Sequence, residues 1–196
     1  MRPRDEIKEQ LIKEKAIEMI VKLGLDGFGV NKLAKAAKVS PATIYIYYKD
    51  KDDLIIQLGV EIANKMMAYS FKNFSPDMDF AEGLKIQWLN RMEYFMSFPL
   101  EMEFIEIMRY TQYYQEVSKS IVVNFGSILG PFKQNAIQKG QIVSLPFEVY
   151  WSIAFAPLYQ LIKFHYQGGS YANESFKLGN EQLMLTLELV LKALKP

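Results

Sequence analysis

The stretch from residue 30 to residue 48 constrains the fold most, because two short helical patterns stand end to end there with almost nothing between them. Val30, Leu33, Ala34 and Ala37 supply one apolar face, and Asn31, Lys32, Lys35 and Lys38 occupy the other. Ser40-Pro41 follows: a residue that accepts hydrogen bonds from the first helical N–H groups, then a proline at the position where a missing N–H costs nothing. A second short helix is therefore expected over 41–48. Ala34 and Ala37 are small enough to let the two helices approach, Val39 plugs the turn, and Ile44 and Tyr48, four apart, hold the second helix inward. Two helices joined in this way make a helix-turn-helix, although an ordinary hairpin in a helical bundle would share the pattern. Ala42, Thr43, Tyr45, Ile46 and Tyr47 are left facing outward. Their hydroxyls, aromatic edges and aliphatic groups suit phosphates and thymine methyls in a DNA major groove.

The rest of the chain is read as helix throughout. Ile7, Leu11, Ala16, Ile20 and Leu23 recur about every four residues, so an amphipathic helix precedes the pair and Gly24 stops it. Asp50 with Asp53 three residues on predicts the start of a long helix over 51–71. Further helices are expected over 79–97, 99–114, 116–139, 146–167 and 178–195, separated by Pro99, by 140–146 and by Gly168-Gly169. The fold class is thus all-α with about nine helices. The expected division is a three-helix DNA-binding domain over 1–52 and a helical bundle over 53–196 for effector binding and dimerisation.

Charge supports that division. Residues 1–51 hold eleven Lys/Arg against seven Asp/Glu, a balance of +4, and the remainder stands at −3. A basic unit joined to a mildly acidic one is expected when only the first meets phosphates, although surface lysines can also cluster by chance. Half the residues are hydrophobic and 14% are aromatic, enough for a sizeable core. No apolar run approaches the length of a membrane span, and the start of the chain has no apolar signal core, so a cytoplasmic protein without membrane partners is expected. With no cysteine and one histidine, His165, the chain cannot assemble thiolate or multi-histidine metal sites. No cofactor and no enzymatic activity are expected. His165, between Phe164 and Tyr166, reads as a structural or ligand-contacting side chain.

The run Leu33-Ala34-Lys35-Ala36-Ala37-Lys38-Val39-Ser40-Pro41-Ala42-Thr43-Ile44-Tyr45-Ile46-Tyr47-Tyr48-Lys49-Asp50-Lys51-Asp52-Asp53-Leu54 closely resembles the DNA-binding segment of the TetR family of transcription regulators, above all in the spacing of Tyr45, Tyr47-Tyr48, Lys51 and Leu54. The resemblance covers about the first quarter of the chain. It implies that Thr43, Tyr45 and Tyr47 meet the DNA backbone or base edges and that Lys51, opening the fourth helix, meets a phosphate. Lys32, Lys38, Ser40, Pro41, Ala42 and Ile46 complete the expected DNA-binding set. Two positions depart from the family pattern: Lys38 stands where the turn usually has glycine, and Gly29 where serine or threonine commonly opens the second helix.

The resemblance also implies a homodimer through the last two helices, reading a palindromic site in double-stranded DNA. Trp151, Ile153, Phe155, Leu158, Leu161 and Ile162, followed by Leu183, Leu185, Leu187, Leu189, Val190, Leu191 and Leu194, make those helices too apolar to stand alone. A ligand-released repressor is the leading expectation. A DNA-binding protein whose C-terminal domain docks a protein partner is the second, and a helical enzyme is the third. Trp88, Met92, Phe95, Met108, Phe125, Trp151 and Phe155 are candidate pocket residues, with Arg109, Gln112 and Asn124 as polar anchors for a hydrophobic or aromatic small-molecule effector. Plain core packing would use the same aromatic and methionine residues.

Overall fold

The computed structural model of the chain describes residues 5–196, apart from the side chains of residues 120–124. Among the described residues it is all-helical, with ten elements: α1 (Glu6–Gly27), α2 (Val30–Ala36), α3 (Pro41–Tyr47), α4 (Lys51–Ser70), α5 (Phe80–Ser97), α6 (Pro99–Met108), α7 (Tyr113–Gln138), α8 (Phe147–Ala154), α9 (Ala156–Tyr166) and α10 (Asn180–Leu194). None is long and apolar enough to cross a membrane.

The start and stop signals operate as chemistry requires. Gly24 breaks α1 with φ 69°, a left-handed conformation that glycine reaches without steric cost. The Asp50 carboxylate accepts from Asp53 N at 2.8 Å while the Asp53 carboxylate accepts from Lys49 N at 2.8 Å, so the two acids cap α4 reciprocally. Gly140, at φ 64°, ends α7; its N–H donates to Ile137 O and that of Gln141 donates to Ala136 O.

Three boundaries differ from expectation. The helix expected over 146–167 is two helices, since Phe155 leaves helical geometry (φ −128°) and Pro157 sits in the first turn of α9. Proline fits the start of a helix and disrupts an interior, so the break falls immediately before it. The Trp88 indole then donates to the carbonyl of Ala154, the last residue of α8, at 2.8 Å. The helix expected over 99–114 ends at Met108, where Thr111 donates to Met108 O through both N–H and hydroxyl, and α7 begins at Tyr113 rather than at 116. In α1 the buried line is Ile12, Ala16 and Ile20; Ile7, Leu11 and Leu23 are exposed. Leu11 and Ile12 are adjacent, and only Ile12 falls on the strict four-residue line with Ala16 and Ile20.

The chain divides into two compact units. The first takes Met1–Lys65 with Phe98–Val123, so the packing unit around the DNA-binding segment is larger than 1–52 and includes α6 and the start of α7. Ile12, Ile20, Leu33, Ile44, Leu58 and Phe104 are among the side chains of its core. In the second unit, Met66–Ser97 with Asn124–Pro196, the Asn90 amide caps the end of α4 by donating to Ser70 O and Lys72 O. Gln141 ties down the start of α5, accepting from Phe80 N and donating to Asp79. His165 is structural: its Nδ1 accepts from Leu178 N at 3.1 Å.

Gly83 of α5 faces the Phe132 ring so closely that a Cβ there would lie 2.6 Å from Phe132 Cε2 and 3.1 Å from Phe74 Cε2. Phe132 is fully buried and stacked on Phe80, and cannot swing aside cheaply. Gly83→Ala is expected to destabilise the protein by about 1–3 kcal/mol through overpacking, despite the better helix propensity of alanine. Urea unfolding followed by circular dichroism reads the difference; a stabilised variant would show that the aromatic packing yields.

Candidate nucleic-acid interface

From Gly27 to Lys49 the chain contains no acidic residue and four lysines, Lys32, Lys35, Lys38 and Lys49. All four are exposed, on or beside α2 and α3. The positive charge expected of the first domain is therefore concentrated around the helix pair.

The turn between α2 and α3 is tightly specified. Val39 N–H donates to Ala34 O at 2.9 Å and Lys38 N–H to Lys35 O at 3.3 Å, the paired bonds of a helix terminus whose next residue is left-handed. That residue is Lys38, at φ 55°. The substitution of lysine at the usual glycine position thus leaves the turn geometry in place and adds an exposed ammonium beside it. Ala34, Ala37, Ile44 and Tyr48 are buried, as the helix-turn-helix reading requires. Ser40 Oγ accepts from Thr43 N at 3.1 Å and lies 2.9 Å from the Thr43 hydroxyl, which fixes the first turn of α3.

The expected DNA-binding residues do not all present themselves equally. Lys32, Lys38, Ser40, Pro41, Ala42, Tyr45 and Ile46 are exposed; Tyr45 and Ile46 keep 54% and 65% of their surface in water. Thr43, Tyr47 and Lys51 are half-buried. The Tyr47 hydroxyl donates to Asp5 O at 3.2 Å, and Lys51 Nζ donates to Leu25 O at 3.0 Å with the Phe28 ring 5.8 Å away. Lys32 Nζ reaches back to Gly27 O at 3.1 Å. Two of these groups, Tyr47 and Lys51, brace α1 against α3 and α4. Exposed Lys35 and Lys49 carry the same charge as the named lysines, and the solvent-facing register of α2 was the signal that could have included Lys35. A groove of about 430 Å³ runs between the α1–α2 connection and Tyr45, with Phe28 and Asn31 in its walls.

Lys38→Gly separates the two roles of that position. Relief of the left-handed strain and the larger unfolded-state entropy of glycine nearly cancel, so stability is expected to change by less than about 1 kcal/mol. The slope of log affinity for DNA against log salt is expected to fall by about one per subunit, the signature of one lost phosphate contact. An unchanged slope in anisotropy titrations would remove Lys38 from the interface.

The expected effector residues fall in both compact units. Trp88, Met92, Phe95, Phe125, Trp151 and Phe155 belong to the second compact unit, and Met108, Arg109 and Gln112 to the first. Met108 is buried in the first unit's core, Arg109 pairs on the surface with Glu106 at 3.1 Å, and Gln112 is exposed. Asn124 lies outside the described residues. Within the second unit Trp151 stands 4.6 Å from Phe155, 5.4 Å from Phe125 and 6.2 Å from Tyr159, ring centre to ring centre. Arg91 and Gln87, both fully buried beside these rings, were not expected from the sequence. The signal was there: Leu84, Gln87, Trp88, Arg91 and Phe95 follow the three-and-four spacing of the inward face of α5, so the two polar residues occupy core positions.

Comparison with known proteins bears on this geometry. Residues 12–58, which contain α2 and α3, match the family model for bacterial regulatory proteins of the tetR family. An uncharacterized HTH-type transcriptional regulator of Haemophilus influenzae is 27% identical over 103 residues, 53% of this chain and 55% of that protein. The fatty acid metabolism regulator protein of Bacillus subtilis is 41% identical over 54 residues, 28% of each chain. The matches thus span about half or less of these curated relatives. The crystal structure of a TetR family transcription regulator from Marinobacter aquaeolei superposes with a TM-score of 0.85 at 27% identity, covering 99% of this chain and 98% of that one.

Proposed function

We propose, from the premise that this chain belongs to the TetR family of bacterial regulatory proteins, that it is a repressor which binds a palindromic operator as a homodimer and leaves it when a small molecule occupies the second compact unit. The chain is a DNA-binding transcription regulator and not an enzyme. The observation that carries the mechanism is the outer face of α3: an N-capped helix with Tyr45 and Ile46 exposed, flanked by lysines in a stretch without a single acid. Lysines hold the phosphates and set the register, and Tyr45 and Ile46 reach the base edges and thymine methyls.

A twofold dimer would set two copies of α3 about 34–36 Å apart, one turn of DNA. The proposed interface is the outer face of α10 with α8. Leu185 and Leu189, one helical turn apart on α10, remain 58% and 57% exposed, and Phe147 and Val149 of α8 are also exposed, an apolar set that a second copy would cover. The matched segment of the Bacillus regulator is confined to 54 residues, so that protein's role in fatty acid metabolism does not carry over. The aromatic cluster around Trp151 supports a hydrophobic or aromatic effector. Its binding acts by favouring a conformation that holds α3 at the wrong spacing, a shift of populations and not a reaction.

The test is a mobility shift on the operator with a panel of hydrophobic small molecules. Release of the complex by a compound that also shifts tryptophan emission is expected. Operator binding that no compound alters would contradict ligand release and favour a protein partner.

A further inference from the structure

Arg91 is 1% exposed, and none of the ion pairs among the described residues reaches it. Its guanidinium donates to neutral groups only: Nη1 to Gln87 O at 3.3 Å and Gln87 Oε1 at 3.2 Å, and Nε to the Tyr159 hydroxyl at 3.2 Å. The Phe155 ring lies 4.7 Å away and that of Phe71 5.8 Å away. A buried cation among aromatic rings, with no counter-charge, is expensive to maintain, and an apolar side chain of similar size would pack there at less cost. Two neighbouring polar groups are left unsatisfied, on Gln87, which Arg91 bonds, and on Tyr150, whose ring centre lies 6.2 Å from that of Phe155, the ring Arg91 also faces. Gln87 Nε2 and Tyr150 Oη are buried without a hydrogen-bond partner, and the positive charge of Arg91 acts on the Tyr150 phenol, whose pKa is raised mainly by burial.

Beyond the bonds Arg91 makes to Gln87 and Tyr159, donors here outnumber the acceptors. The guanidinium, the Gln87 amide and the Tyr150 hydroxyl can all donate, and the shared deficit is an anion with several lone pairs. A carboxylate supplies that in one small group, taking a charge-assisted bond from arginine and neutral bonds from the other two. The surrounding rings have no use for a second polar group. We propose that the second unit binds a hydrophobic monocarboxylate, its carboxylate held by Arg91 with Gln87 and Tyr150, and its apolar body among Phe71, Phe155 and Trp151. This rests on the reading of that unit as the effector domain and narrows the effector's chemical class. The Trp151 and Phe155 rings stand 4.6 Å apart, centre to centre, so entry of the ligand separates side chains that now touch, which is the means by which binding would alter the unit's conformation.

The experiment uses the intact protein and compares decanoate and 4-phenylbutyrate with their primary amides, which match them in shape and lack the charge. The chain's two tryptophans, Trp88 and Trp151, both lie in this unit and report binding by fluorescence. Each acid is expected to bind at least ~10-fold more tightly than its amide, as a hydrogen bond to a charged group allows. Arg91→Gln, checked for folding by circular dichroism, is expected to bind acid and amide alike, and Tyr150→Phe to weaken the acid several-fold while leaving the amide unchanged. Equal affinities in the unaltered protein would overturn the proposal, as would absence of binding by either acid up to about millimolar concentration. A folded Arg91→Gln that keeps the preference would also overturn it. If Arg91→Gln does not fold, the acid and amide comparison and Tyr150→Phe decide. Charge-selective binding that leaves the operator complex intact would contradict ligand release alone; release by acids and amides equally would contradict only the carboxylate site.

Discussion

Tyr45→Ala combined with Ile46→Ala is expected to lower operator affinity by at least ~30-fold while leaving the thermal unfolding of the protein essentially unchanged. Both side chains are mostly in water and neither belongs to the core cluster of the first unit, so little native packing is lost. Alanine is also the better helix former at both positions, which offsets the small area removed. On DNA the same side chains would each make contacts worth about 1–3 kcal/mol, and two of them per subunit give about 2–6 kcal/mol. Because neither residue is charged, the salt slope should change little even as affinity falls. That behaviour contrasts with Lys38→Gly, where the slope itself moves. Anisotropy titrations at several salt concentrations read both quantities. A double variant with unaltered affinity would place base recognition somewhere other than the outer face of α3.

Leu185→Asp with Leu189→Asp is expected to leave the chain folded but monomeric, with operator affinity reduced by two orders of magnitude or more. Leu183, Leu187, Val190 and Leu194 form the inward face of α10, and Leu185 and Leu189 lie on the opposite side, outside the buried core, so two charges there disturb little of the fold's packing. In a dimer each charge would be buried against an apolar partner surface without a counterion, at a cost of several kcal/mol. A monomer keeps one half-site and loses the gain in effective concentration that joins two half-sites, commonly a factor of about 10²–10⁴. Light scattering gives the mass directly. A variant that remains dimeric would put the interface on another face.

Much of the fold is written locally in the chain. Ser40-Pro41, the Asp50 and Asp53 pair and Gly140 set helix ends through backbone and capping chemistry that needs no knowledge of the tertiary structure, and each is where it was expected; Gly24 interrupts α1, which resumes to Gly27. Pro157 was harder, because a proline can begin a helix or interrupt one, and only the packing of Trp88 against the freed Ala154 carbonyl distinguishes the cases. Leu11 and Ile12 show the same limit: adjacent apolar residues leave two registers open, and tertiary packing selects one.

The candidate DNA interface was legible because exposure and charge there follow directly from helix periodicity. The bracing roles of Tyr47 and Lys51 were not, since their partners, Asp5 O and Leu25 O, are backbone atoms 42 and 26 residues away in sequence. Arg91 was passed over for a related reason. A charged residue is normally read as surface, and the inward register of α5 has to be taken literally before an arginine is accepted as core. Arg109, expected as a polar anchor of the pocket, instead pairs with Glu106 on the surface.

If α3, flanked by lysines, binds DNA specifically, its binding is selective for sequence and sensitive to salt. Fluorescence anisotropy of the purified protein with DNA from its own upstream region, across a salt series and beside random DNA of equal length, tests it most directly. Specific binding that exceeds the random control and weakens steeply with salt, as counterion release requires, is the predicted result. Absence of binding to either DNA at low salt would contradict it.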